Sequence, residues 1–143
     1  MKTILFVDDD PGILDMYGLF FSLPPRKDQY RFLTASTIEK GKEVIMQEHP
    51  DLILLDLILQ KIFVPQSYAE IEQEERSKEY GFNLLKEIKE SPATKSIPVI
   101  ILSNLSSVQD KDRATSLGAD GYLVKSDVVP AQVLEVIQKH LPQ

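Results

Sequence analysis

The sequence predicts a doubly wound α/β sandwich, a three-layer fold in which helices cover both faces of a five-stranded parallel sheet. Three observations predict it: five short apolar runs are present, their apolar residues are continuous, and segments of helical length lie between them. Continuous apolar character is typical of strands that are buried on both faces, as in a parallel sheet. Regular alternation of strand and helix favours this architecture over an all-helical or all-strand fold.

The individual elements follow from the apolar runs and from the spacing between them. The predicted strands are Ile4–Val7, the weaker Tyr30–Thr34, Leu52–Leu55, Val99–Leu102 and Tyr122–Val124. The five predicted helices cover residues 11–22, 37–48, 81–90, 107–117 and 130–141. Asp10-Pro11 is typical of a helix start, Gly118 of a helix end, and Pro130 of the first position of a helix.

Residues 60–80, a stretch of 21 residues between the third strand and the next predicted helix, interrupt the alternation. Connections in compact domains usually run to about 2–6 residues, and longer ones are commonly functional. Ser67 to Tyr80 is rich in helix formers and favours a short acidic helix with a solvated glutamate face. We expect the segment to be either a tolerated insertion or a lid or partner contact beside the site described below.

Composition limits the classes of protein that the chain can belong to. We expect one domain over residues 1–143, with a net charge of −6 and no Lys/Arg cluster, so direct binding of nucleic acid is not expected. The absence of cysteine excludes disulfides, thiolate zinc sites and a cysteine nucleophile. No apolar run is long enough for a signal peptide or a membrane span, which leads us to expect a cytoplasmic protein without membrane contact.

Polar residues follow four of the five apolar runs at the point where each run ends. Asp8 and Asp9 follow the first run, Asp56 the third, Ser103 the fourth and Lys125 the fifth. The carboxyl ends of parallel strands meet at one edge of the sheet, where such folds bind ligands. The sequence therefore predicts that five polar groups from four distant segments converge in one crevice.

The residue types in this crevice indicate phosphoryl chemistry. Three neighbouring carboxylates repel one another, so a cation is expected between them, and an all-oxygen set suits Mg²⁺ or Mn²⁺. Asp9 and Asp56 are the expected direct ligands, and Asp56 can act as a nucleophile that forms an acyl phosphate. The Lys125 ammonium and the Ser103 hydroxyl complete an electrostatic clamp for a phosphoryl group in transfer.

Four motifs resemble the receiver domain of two-component response regulators. They are VDDDP at 7–11, DLILLDL at 51–57, PVIILSN at 98–104 and LGADGYLVKS at 117–126, and they cover the chain in order apart from residues 60–80. The resemblance implies a flavodoxin-like sheet with the order 2-1-3-4-5. It also implies a histidine kinase, a phosphotransfer protein or a small-molecule phosphodonor, a downstream protein target, and the option of a phosphorylation-linked homodimer.

The resemblance also assigns roles to individual residues. It implies that Asp56 is the phosphoacceptor and that Mg²⁺ is bound by Asp9 and Asp56 directly, by Asp8 through water, and by the backbone carbonyl of Ile58. Ser103 and Lys125 would hold the phosphoryl oxygens.

Tyr122 lies where the family has its aromatic switch, a ring that turns inward when Ser103 moves toward the phosphate. An aromatic residue in a strand is also typical of a core. The expected change in shape is centred on the fourth predicted helix, the fifth strand and the fifth helix.

Several positions depart from the family pattern. Gln60 stands where a proline is usual, and Gly81 is the expected helix-starting glycine. Ser126 replaces the usual proline after Lys125, and Asn104 replaces a small alanine beside Ser103, which we expect to narrow access to the phosphoryl site.

The side chains that flank the hydrolytic water in this family correspond to Ile58 and Leu105. Both are apolar and unable to orient water, so we expect slow self-dephosphorylation.

The sequence favours a self-phosphorylating signalling switch rather than a turnover enzyme. A phosphatase of the aspartate-nucleophile type generally needs a second aspartate two residues after the nucleophile, and position 58 is Ile. A phosphorylation-independent interaction domain of receiver fold remains an alternative. Whether the receiver stands alone or belongs to a longer regulator is left open.

Overall fold

The strands form one parallel sheet, with the predicted topology. The computed structural model describes residues 1–59 and 69–141, with side chains described at 1–59 and 78–141. The strands are β1 Lys2–Val7, β2 Tyr30–Ala35, β3 Leu52–Leu55, β4 Val99–Ser103 and β5 Gly121–Val124. All four ladders are parallel, and the order is β2-β1-β3-β4-β5, which confirms the predicted fold class.

Six α-helices, one more than predicted, are present in the described residues. They are α1 Pro11–Ser22, α2 Arg26–Gln29, α3 Ile38–Glu48, α4 Ala69–Glu90, α5 Val108–Ser116 and α6 Pro130–His140, and a 3₁₀ turn covers Lys125–Asp127. The additional helix, α2, is a single turn, too short to show an apolar period. Its Arg26 Nε donates a hydrogen bond to the Phe20 carbonyl at 2.6 Å, and its guanidinium lies 3.9 Å from the centre of the Phe20 ring.

Helix α4 begins at Ala69, so the predicted start at residue 81 is wrong. Residues 69–80 are mostly Glu, Gln, Arg and Lys, which are good helix formers. A glycine inside a helix costs only about 1 kcal/mol of stability. Gly81 is therefore inside the helix. A Cβ built at Gly81 would overlap the Leu57 carbonyl, lying 2.5 Å from its carbon, so the glycine permits close approach of α4 to the chain after β3. The first part of the predicted insertion, residues 60–68 with Gln60, lies outside the described residues.

The core has two layers, one on each face of the sheet. The central strands β1, β3 and β4 contribute side chains to both layers, and those of β3 are all fully buried. Helices α3, α4 and α5 cover one face, whereas α1 and α6 cover the other. This two-sided burial explains why the strands are continuously apolar in sequence.

The predicted helix ends at Asp10, Gly118 and Pro130 are confirmed. The Asp10 carboxylate accepts the backbone N–H of Gly12 at 2.9 Å and caps α1, which begins at Pro11. Gly118 follows α5 with a φ of 103°, and Pro130 is the first residue of α6. In the part of the chain that the structure describes, no helix combines the length and apolar character needed to cross a membrane.

Candidate functional site

Backbone hydrogen bonds of the sheet place two carboxylates side by side at the carboxyl edge. The Asp8 N–H donates to the Ala35 carbonyl and the Asp56 N–H to the Val7 carbonyl, each at 3.0 Å. The parallel ladders thus continue one residue beyond β1 and β3. Both aspartates are buried, with 0% of Asp8 and 4% of Asp56 exposed.

The Lys125 ammonium bridges these carboxylates. Its Nζ donates to Oδ2 of Asp8 and to Oδ2 of Asp56, both at 2.8 Å. The Oδ1 atom of Asp8 accepts the N–H of Asp10 at 2.9 Å, and Oδ1 of Asp56 accepts the N–H of Ile58 at 3.0 Å. Each carboxylate therefore has one oxygen on a backbone amide and the other on the same ammonium.

A third carboxylate, that of Asp9, joins the pair. Asp8, Asp9 and Asp56 each offer one oxygen, and these oxygens lie within 4.8 Å of one another. When ionised, the carboxylates of Asp8 and Asp56 carry two negative charges against the single positive charge of Lys125, in a mostly buried space. Oxygen ligands and this charge suit a hard divalent cation, so the residues present fit Mg²⁺ or Mn²⁺.

Burial and mutual repulsion change the acidity of the group. Burial, together with the charge of Asp56, raises the pKa of Asp8 to about 6 against the opposing effect of Lys125. Burial lowers the pKa of Lys125, but Asp56 and Asp8 outweigh this effect, so its pKa is raised overall. The ammonium therefore stays charged at neutral pH.

Ser103 and Tyr122 both contact the backbone of Leu105. Ser103 is fully buried, and its Oγ accepts the Leu105 N–H at 3.4 Å. The Tyr122 hydroxyl donates to the Leu105 carbonyl at 2.7 Å. Burial, with the charges of Asp110 and Asp56, raises the pKa of Tyr122 to about 12. The phenol is therefore a neutral donor tied to the segment that follows Ser103.

Two features near the site were not predicted from sequence. Tyr17 on α1 is 1% exposed and packs edge-on against Phe6. Burial raises its pKa to about 12, Lys125 lowers it and Asp8 raises it, so its hydroxyl lies within electrostatic range of the site. The second feature is a hydrogen bond from the Ser126 N–H to Asn104 Oδ1 at 2.8 Å. Asn104 and Ser126 both depart from the family pattern, and this departure was the sequence signal that could have indicated the bond.

An exposed ion pair connects α4 with α5 through Glu79, a residue of the face that the sequence predicts to be solvated. Its two carboxylate oxygens accept hydrogen bonds from both terminal nitrogens of Arg113, each at 2.6 Å. The guanidinium also lies 4.1 Å from the centre of the Phe82 ring. Glu79 is exposed at 48% of its side chain, as expected for a solvated face, but its partner could not be predicted because it lies 34 residues away in sequence. The predicted glutamates at 70, 72, 74 and 75 lie among residues whose side chains are not described.

The sequence of the chain matches a known family over most of its length. The model of the response regulator receiver domain matches residues 4–138. The chain belongs to this family. It is a receiver domain of two-component signalling, and receiver domains of response regulators are signalling switches.

Individual relatives agree with this assignment. The receiver is 32% identical over 87% of its length to the DNA-binding dual master transcriptional regulator RpaA of Synechocystis, and 30% identical over 87% of its length to the phosphate regulon regulator PhoB of Pseudomonas aeruginosa. It spans only 43% and 45% of those proteins. The BeF3-activated receiver domain of Klebsiella pneumoniae RstA superposes with a TM-score of 0.72 at 25% identity, over 99% of this chain and 100% of that one.

Proposed function

We propose that this receiver accepts a phosphoryl group on Asp56 in a Mg²⁺-dependent reaction and thereby changes its affinity for a protein target. The observation that supports it most directly is the Lys125 ammonium, which lies 2.8 Å from Asp56 inside an all-oxygen acidic cluster. An acceptor carboxylate, a positive charge and cation ligands are the parts that phosphoryl transfer needs, since its catalysis is mainly positioning and charge neutralisation.

The proposed step forms one bond and breaks one. A carboxylate oxygen of Asp56 attacks the phosphorus of an acyl phosphate or a phosphohistidine, and an aspartyl phosphate forms. The bond from phosphorus to the leaving group breaks, and its electron pair departs with the carboxylate or imidazole. Lys125 neutralises a phosphoryl oxygen, and the hydroxyl of Ser103 donates to another.

The bound metal would supply charge neutralisation on the phosphoryl oxygens. We assign Asp9, Asp56 and the backbone carbonyl of Ile58 as its direct protein ligands, with Asp8 acting through water. The outer role of Asp8 follows from the family pattern, and its pKa, raised to about 6, leaves part of this carboxyl group protonated near that pH.

The proposed output begins at Leu105, which both switch residues contact. Movement of Ser103 toward a phosphoryl group would pull this segment and release or re-aim the Tyr122 hydroxyl. The affected face consists of α5, β5 and α6. Two states of this face with different partner affinities constitute a population shift.

The proposed donors are a histidine kinase, a phosphotransfer protein or a small-molecule phosphodonor, and the proposed target is a protein. A phosphorylation-linked homodimer is one form of this output, and a cytoplasmic location stays a prediction. We propose a self-modifying switch rather than a turnover enzyme, since Ile58 provides no acid for rapid release of the phosphoryl group.

The test is intact mass after incubation with acetyl phosphate, with and without Mg²⁺, for wild type and Asp56→Asn. We expect one added phosphoryl group that requires both the metal and Asp56. Asp112→Asn, a change on the surface helix α5, is the matched control and should be modified like wild type. An addition that persists in Asp56→Asn would exclude Asp56 as acceptor, and no addition to wild type would favour a phosphorylation-independent interaction domain.

A further inference from the structure

A hydrogen bond connects the two loops that directly follow Ser103 and Lys125. The Ser126 N–H donates to Asn104 Oδ1 at 2.8 Å. Asn104 directly follows Ser103, and Ser126 directly follows Lys125. Ser103 pairs with Val124 in the β4–β5 ladder, so the two loops leave the sheet side by side. The bond therefore joins them just beyond the sheet, one residue after β4 and two residues after β5.

The turn that begins at Lys125 has little support of its own. It is a three-residue 3₁₀ helix, and no side chain caps its start at Val124. A 3₁₀ turn of this length has few internal hydrogen bonds, and their geometry is poorer than in an α-helix. Its orientation must therefore depend on contacts with neighbouring segments, and the Asn104 carboxamide provides one.

The residue types at the two positions are suited to this bond. Proline at 126 would have no N–H to donate and would disfavour the helical conformation of the preceding lysine. Alanine at 104 would offer no side-chain acceptor. Asn104 and Ser126 supply the acceptor and the donor of this bond.

We propose that Asn104 is a positioning residue for Lys125, an inference that rests on the proposed function of Asp56 and deepens it. By holding the backbone of Ser126, the carboxamide fixes the turn from which the Lys125 side chain extends. That side chain must bring one nitrogen to 2.8 Å from both Asp8 and Asp56. Displacement of a catalytic group by about 1 Å can reduce a rate by about 100-fold. Fixing the backbone from which the flexible Lys125 side chain extends is therefore expected to raise the rate of phosphorylation.

The sequence suggested another role for Asn104, in which its bulk narrows access to the phosphoryl group. Asn104→Leu separates the two roles, because leucine keeps the bulk and loses the acceptor. Asn104→Ala loses both, and Ser126→Ala is the matched control that keeps the backbone N–H. Asn104 is exposed, so these variants are expected to fold.

The first measurement is the rate of phosphorylation by acetyl phosphate at saturating Mg²⁺. We expect Asn104→Leu and Asn104→Ala to be slower than wild type by a similar factor, about five- to tenfold, as for a loosened catalytic group. The control Ser126→Ala should stay within about twofold of wild type, and Mg²⁺ affinity should change little because the carboxylates are intact. A leucine variant at the wild-type rate, whatever its thermal stability, overturns the positioning role.

The second measurement does not depend on phosphorylation. Amide hydrogen exchange at Ser126, followed by NMR in the metal-free protein, should be slower in wild type than in Asn104→Leu. Asn104→Asp restores an acceptor and should restore the slow exchange. A Ser126 amide that exchanges equally fast in all three proteins overturns the proposal. If wild type takes no phosphoryl group but this amide is protected, the proposed function fails while the bond itself is present.

Discussion

Two nearly buried lysines lie at opposite edges of the sheet, and their partners differ in charge. Lys125 at the carboxyl edge is 11% exposed at its side chain and bridges two carboxylates, with a third nearby. Lys89 at the amino edge is 12% exposed and donates to one carboxylate, that of Asp120, and to the Ile97 carbonyl, both at 2.8 Å. The positive charge of Lys89 is matched by one carboxylate, whereas that of Lys125 is shared by two carboxylates.

The two lysines differ in how completely their charge is matched by their partners. At Lys89 a single ion pair is completed by neutral carbonyls, and Asp120 also accepts the Val99 N–H at 2.8 Å, so no further charge is needed. At Lys125 the excess negative charge costs stability unless a cation joins it. We infer that this destabilising negative charge is present because it serves to bind a metal ion and to receive a phosphoryl group.

The largest expected effect comes from removing each lysine in turn. Lys125→Met should slow phosphorylation by acetyl phosphate by about 100-fold or more, because a charge that stabilises the transition state is lost. Lys89→Met should leave that rate within about twofold and lower the free energy of unfolding by about 1–2 kcal/mol, because the partly exposed Asp120 carboxylate and the Ile97 carbonyl both lose a donor. Phosphorylation kinetics and urea unfolding of both variants measure this. If Lys125→Met and Lys89→Met slowed phosphorylation to a similar extent, the proposed difference between the two edges of the sheet would be wrong.

The next largest effect concerns the backbone beside the acidic edge. Gly81→Ala should lower the free energy of unfolding by about 3 kcal/mol or more, because its Cβ meets the Leu57 carbonyl and α4 must move away. Gly18→Ala in α1 is the matched control: nothing lies within 4 Å of its Cβ, and alanine should stabilise that helix by about 1 kcal/mol. Urea unfolding compares them. Equal stability of the two variants would show that α4 yields easily next to Asp56.

The pH dependence of folding stability tests how strongly the negative charge of Asp8 destabilises the metal-free receiver. The pKa of Asp8 is about 6 in the folded receiver against 3.8 ordinarily, so the folded state binds this proton more tightly. Its contribution to the metal-free stability should therefore fall as pH rises from about 4 to 6, by up to about 3 kcal/mol, and stay level above about 7. Asp8→Asn should remove this component in urea unfolding across pH. An unchanged slope in the variant would assign the effect to other groups.

The smallest expected effect concerns the lifetime of the phosphoryl group. Ile58 follows Asp56 by two positions and offers no group to orient water, so Ile58→Asn should speed loss of the phosphoryl group several-fold. The control Ile58→Val keeps an apolar side chain and should decay like wild type. Intact mass followed over time after removal of the donor measures both rates, and equal decay of Asn and wild-type proteins contradicts the idea.

Much of the fold could be predicted because its signals are local. Leu52–Leu55 is a strand in both sequence and structure, since burial on two faces leaves a continuous apolar run. Asp10 caps the start of α1 and Gly118 follows the end of α5, as predicted, because helix caps depend on a few neighbouring backbone groups. The start of α4 was not predictable in this way, because a glycine in the sequence indicates a helix boundary, and only the close approach of Leu57 explains a glycine inside this helix.

By itself the sequence determined which residues end the strands, and a parallel sheet then requires that Asp8, Asp9, Asp56, Ser103 and Lys125 lie at one edge. Only the tertiary structure decided how they pair. The Lys125–Asp8 bond joins residues 117 positions apart, and the Asn104–Ser126 bond joins loops from different strands. The physical reason is range: caps and apolar periods act within one element, whereas hydrogen bonds and charge balance across the sheet depend on segments that only folding brings together.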